Sequence, residues 1–161
     1  MPSLLTYLRG TTRFARKESV ALTGGDVDDV FTVSGGPVLC LGLWVEITTV
    51  VTANAALIHF ESDPTNGASS TQIAEGTAAP DIASAAVGDF FHLNGDSQDV
   101  MKKAANGTDL PMMENQNGGI LIPVGGIDLK LSTSDPTTGA ATIYVSYIPI
   151  TETSRLIPST S

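Results

Sequence analysis

Apolar and polar residues alternate with a period of two along much of this chain, the pattern of β-strands that bury one face. The plainest case is Ile127, Leu129 and Leu131 alternating with Asp128, Lys130 and Ser132, which predicts a half-buried strand with a wet outer face. Asp135-Pro136-Thr137-Thr138-Gly139 then marks a turn, and residues 141–150 resume the pattern with Ile143, Val145 and Tyr147 on one face. The longest candidate strand spans 37–52, with a bend or bulge expected near Gly42. Leu39, Leu41, Leu43, Val45 and Ile47 point one way; Val38, Cys40, Gly42, Trp44 and Glu46 point the other. Apolar residues on both faces imply a central strand covered on both sides, and Trp44 reads as core. Further strands are expected at 30–33 and 55–60.

Turn signals punctuate these runs. Asn66-Gly67, Asn94-Gly95, Asn106-Gly107 and Asn117-Gly118 suit tight hairpin turns, because both residue types tolerate positive φ. Gly24-Gly25, Gly35-Gly36 and Gly125-Gly126 add breaks. The expected class is therefore all-β: an antiparallel β-sandwich, with a jelly-roll as its candidate form, flanked by an N-terminal arm and a C-terminal tail. Residues 97–106 fit two descriptions. Ser97 as cap, Asp99 in the first turn and Lys102 and Lys103 in the last favour a short helix, whereas Asn94-Gly95 favours a hairpin into a strand.

A chain of 161 residues fits one domain, and its single cysteine, Cys40, lies in the apolar run Val38-Leu39-Cys40-Leu41 and reads as a packed thiol. No apolar run approaches the ~20 residues that span a bilayer, so no membrane partner is expected. Residues 1–17 are taken as a basic arm, 18–150 as the sandwich and 151–161 as a polar tail. Such ends fray unless held, and neighbouring chains are the simplest holders, their own domain the alternative. On this division, deleting residues 1–17 leaves a folded body.

Charge changes the picture most. Arg9, Arg13, Arg16 and Lys17 fall in the first 17 residues with no acid among them, whereas the remainder carries four basic against 17 acidic side chains. An acidic body repels phosphate backbones, so it is not expected to bind nucleic acid. The four cations of the arm are the candidate partner-binding residues, laid on an acidic neighbour.

Candidate chemistry is sparse. His59 and His92 each sit in a strand-like run without a nearby second ligand, and read as ordinary strand residues. Asp26-Val27-Asp28-Asp29 resembles the start of a calcium loop, but Phe31 and Pro37 stand where such a loop needs glycine and glutamate. An acidic turn is the simpler reading. No Gly-x-Ser-x-Gly elbow, phosphate-cradling loop or Cys-x-x-Cys pair is present, and no enzyme, metal or cofactor is expected. A sugar-binding module is the rival class. Trp44 is assigned to the core on this reading, which leaves Tyr7, Tyr144 and Tyr147 as its aromatic candidates.

The run Val30-Phe31-Thr32-Val33-Ser34-Gly35-Gly36-Pro37-Val38-Leu39-Cys40-Leu41-Gly42-Leu43-Trp44-Val45-Glu46-Ile47-Thr48-Thr49 resembles a segment common in small virion proteins of tailed bacteriophages. So do Gly125-Gly126-Ile127-Asp128-Leu129-Lys130-Leu131, Thr138-Gly139 and Ile143-Tyr144-Val145-Ser146-Tyr147-Ile148-Pro149. The resemblance implies a decoration or cement protein, a β-sandwich on the outer surface of the capsid, made in the host cytoplasm. Its implied partners are the major capsid protein, at junctions between capsomers, and neighbouring copies of itself in a homo-oligomer or on the shell. It carries over no functional residues, because what is shared is a strand pattern.

Overall fold

A computed structural model describes residues 11–52, 54–67, 69–73, 79–93, 102–104 and 119–160. Among them the elements are all strands: β1 (Arg13–Ala21), β2 (Val27–Ser34), β3 (Val38–Thr49), β4 (Leu57–Pro64), β5 (Thr71–Gln72), β6 (Phe90–His92), β7 (Lys102–Ala104), β8 (Ile120–Ile122), β9 (Gly125–Ser132), β10 (Ala140–Pro149) and β11 (Arg155–Pro158). They form two antiparallel sheets. The first runs β1-β10-β3-β6-β7, with β8 also paired to β3; the second runs β11-β2-β9-β4-β5.

Side-chain alternation explains why these segments pair as they do. Ile127 and Leu129 of β9 and Ile143 and Val145 of β10 are fully buried, and one continuous apolar cluster takes residues from both sheets. Phe31, Phe60 and Phe91 are among its largest members, each contributing about 2–3 kcal/mol by leaving water. The outer face of β9 is not wet, however: Asp128 is 5% exposed, for reasons given below.

Strand β3 differs from its expected face assignment at one point. Ser146 pairs with Gly42 and Tyr147 with Cys40, so Leu41 is an extra residue without a partner in the β10 ladder. The expected bulge is present, and it inverts the alternation. Val38 and Cys40 before it join Leu43, Val45 and Ile47 after it in the core, whereas Leu39, Leu41, Trp44 and Glu46 are only half-buried. Cys40 is a packed thiol, as expected: burial pushes its pKa up to about 12, and its S–H donates to the Gly42 carbonyl at 3.6 Å.

Both ends are built into the sheets further than the charge pattern suggests. The boundary drawn at Lys17 falls inside β1, which pairs with β10 from Arg13↔Tyr147 onward, so deleting residues 1–17 removes most of an edge strand. Residues 155–158 of the expected tail form β11, paired with β2. Among the described residues, Arg13–Ala21 and Arg155–Pro158 are thus held by the molecule's own sheets. Within 97–106, Lys102–Ala104 pairs with Phe90–His92 as a strand; the rest of that stretch lies outside the described residues, as do three of the four Asn-Gly pairs. Gly125-Gly126 is not a break but the start of β9, where a side chain on Gly125 would overlap the Asp63 carbonyl across the ladder.

Gly35-Gly36, by contrast, is the turn expected between β2 and β3. Gly35 has φ +75°, and a Cβ there would overlap the Thr153 carbonyl oxygen. The loop that leads into β11 presses directly on this turn: Thr151 and Thr153 hydroxyls both donate to the Gly35 carbonyl, and Ser154 is fully buried. Gly67 has a similar φ of +79° with open space beside it. Gly35→Ala should therefore destabilise by about 3 kcal/mol and Gly67→Ala by only about 1 kcal/mol, measured by urea unfolding. Equal losses would mean that the 151–154 loop does not bear on β2.

Candidate functional site

The two outer sheet faces differ in chemistry. On the second sheet, β2 and β9 lose register between Val27 and Phe31, where Asp29 adopts φ +51°. Backbone amides displaced from the ladder need other acceptors, and carboxylates supply them. The Asp29 N–H donates to Asp128 Oδ1 at 2.7 Å, and the Leu131 N–H to Asp26 Oδ1 at 2.8 Å. Gly126 leaves the space that the Asp29 carboxylate fills. Lys130 Nζ lies 3.5 Å from both Asp26 and Asp128, which compensates charge at the buried Asp128. The acidic run beginning at Asp26 thus caps a bulge. On the same sheet His59 Nε2 lies 3.2 Å from Glu61 Oε1, two residues along β4. Among the described residues no group of three His, Cys, Asp or Glu side chains could hold a metal ion.

The first sheet carries Trp44 and Tyr144 on the face away from the core. Cross-strand register sets Arg16, Tyr144, Trp44 and His92 in one row across β1, β10, β3 and β6. The Trp44 and Tyr144 rings stack with centroids 5.5 Å apart and planes 12° from parallel, an offset pair worth about 0.5–1.5 kcal/mol. The Tyr144 hydroxyl donates to Glu46 Oε2 at 2.7 Å. This bond, followed by partial burial, raises the Tyr144 pKa above the ordinary tyrosine value. Trp44 is therefore not the core residue that apolar residues on both faces of the strand imply. Alternation already set it opposite Leu43, Val45 and Ile47, and the signal that could have found it was Glu46 on its own face, a charged residue that a second core would not favour. His92 stands opposite Trp44, half-buried.

The expected arm cations separate into distinct environments. Arg9 lies outside the described residues, Arg13 is exposed at the start of β1, and Arg16 pairs with Glu18 on the same strand. Lys17 turns to the second sheet, where Nζ donates to the Ser159 carbonyl at 2.6 Å and hydroxyl at 3.0 Å. The Tyr147 hydroxyl accepts the Leu156 N–H at 3.3 Å, making a second tie between the sheets. Arg155 is exposed on β11, its Nε donating to the Ser34 hydroxyl at 3.2 Å.

Comparisons with protein-family models, curated proteins and solved structures find no match to this chain.

The Tyr144–Glu46 contact has a pH signature. A raised phenol pKa adds stability that is fully present below the ordinary tyrosine range near 10 and is lost as pH rises through the raised value. In difference titrations against Tyr144→Phe, followed by phenolate absorbance, Tyr144 should ionise above the ordinary range, and Glu46→Gln should bring it back down. An unshifted titration would show that the hydrogen bond does not persist in solution.

Proposed function

We propose that this chain is a structural virion protein of a tailed bacteriophage, a decoration protein that binds outside the capsid and stabilises contacts between capsomers of the major capsid protein. On this reading it is an antiparallel β-sandwich of the jelly-roll kind and does no chemistry. The observation that carries the reading is the order of pairing. Strand β1 pairs with β10, β2 with β9, β3 with β8 and β4 with β5, and successive pairs alternate between the two sheets. This nested order, with the β6–β7 hairpin and β11 added at its margins, is consistent with a long hairpin rolled across two layers, and it supports the jelly-roll reading. Jelly-rolls recur in viral capsids, and the segments resembling phage virion proteins supply β2, β3, β9 and β10, the inner strands of this arrangement.

Fold alone does not choose a function, because lectin domains use the same architecture. A second reading, a carbohydrate- or receptor-binding module of a virion appendage, is favoured by one observation: Trp44 stands with Tyr144 and Glu46 outside the core, where aromatic rings beside a carboxylate suit sugar recognition.

Quantitative mass spectrometry of purified particles should find this chain in hundreds of copies, in fixed ratio to the major capsid protein. A handful of copies would instead indicate a tail, vertex or head-completion component, and absence would end the virion reading. For the second reading, Trp44→Ala and Tyr144→Ala should abolish binding on a glycan array while circular dichroism stays unchanged; if the unsubstituted chain binds no glycan, that reading fails.

A further inference from the structure

Strand β1 ends the first sheet: its ladder runs to β10, and none of the described strands pairs with its other side. From Arg13↔Tyr147 to Lys17↔Ile143 the ladder is regular, and only beyond Lys17 does a bulge with Ser19 at φ +56° break it. Bulges at edges deter pairing, so the acceptor stretch is the five residues before it. The neighbouring edge of the second sheet, β11, comes alongside, held by the Lys17–Ser159 and Tyr147–Leu156 contacts.

Charge is segregated on this rim. Arg13, Arg16, Lys17 and Arg155 lie on two short edge strands of a chain whose formal net charge is −9. The one acid on either strand, Glu18, is already paired to Arg16. Of the exposed cations Arg13, Arg16 and Arg155, Arg16 shares its charge with Glu18, and Lys17 is committed to Ser159. Phe14, between two of them, is 72% exposed. A backbone edge that none of the described strands covers, exposed cations and an exposed aromatic side chain together fit one kind of partner.

We infer that the β1 edge accepts an extended acidic segment of another polypeptide as an added strand, with Arg13 and Arg155 meeting its carboxylates and Phe14 its apolar side chains. Two copies of this chain meeting edge to edge would oppose these cations, so the fitting occupant is a foreign acidic strand. Nucleic acid offers charge but neither a ladder for the edge nor an apolar side chain for Phe14. The inference deepens the reading of a shell-binding protein by naming the contact, and it is tested on the purified full chain apart from any particle.

The probe is a short capped peptide alternating glutamate with valine, followed by fluorescence anisotropy. Three controls accompany it: the same peptide with lysine for glutamate, the acidic peptide N-methylated on alternate residues, and a short DNA duplex. The acidic peptide should bind, weaken as salt screens the cations, and lose affinity about tenfold in the Arg13→Glu/Arg155→Glu variant, whose far-ultraviolet circular dichroism checks its fold. N-methylation should remove binding on either chain, which keeps the test decisive if the variant misfolds. Absence of binding, equal binding of the lysine peptide, or indifference to N-methylation would each overturn the inference, and a preference for the duplex would replace the strand with nucleic acid.

Discussion

The ladder between β3 and β10 runs from Val38↔Pro149 to Thr49↔Ala140, and the first sheet is arranged around it. Every other strand in that sheet except β7 pairs with one of these two. Its register therefore decides which side chains enter the core. Because Leu41 is extra, Val38 and Cys40 enter the core together with Leu43, Val45 and Ile47, while Trp44 faces the other way and stacks on Tyr144 beside Glu46. One ladder thus serves packing on one face and presents aromatic rings on the other.

The second sheet meets its irregularity with charge. Where β2 slips against β9, carboxylates of Asp26 and Asp128 take over amides that a regular ladder would have bonded, and Lys130 offsets the negative charge this gathers. Part of the acidity of the chain is therefore structural, an internal substitute for missing backbone acceptors. A tyrosine hydroxyl and a lysine ammonium join the β1–β10 side of the first sheet to β11 of the second and the adjoining Ser159.

Much of this was legible in the pattern of residues. The all-β class, the central place of β3 in its sheet, the inward faces of β9 and β10 and the turns at Gly24-Gly25 and Gly35-Gly36 follow from period-two alternation and glycine chemistry. What escaped has physical causes. Strand β1 is an edge strand whose outward positions are charged, so its alternation reads as a basic arm. Strand β11 has four residues, too few for a period to register. The roles of Asp26 and Asp128 depend on partners 105 and 99 residues away, which no local motif can express. The site was harder than the fold: alternation set Trp44 and Glu46 opposite Leu43, Val45 and Ile47, but apolar residues on both faces of that run read as a strand covered on both sides.

The nested pairing also sets an order of events in synthesis. Arg13 finds its partner at Tyr147, and Val27 finds its own at Leu129, so β1 and β2 wait for strands made long after them. Loop closure over such separations is entropically slow, which leaves β1 and β2 without these partners while the intervening residues are made. Arginine, lysine and glutamate on β1 keep that waiting segment soluble and disfavour pairing between nascent chains. The charges that mark the finished rim thereby also guard the unfinished chain.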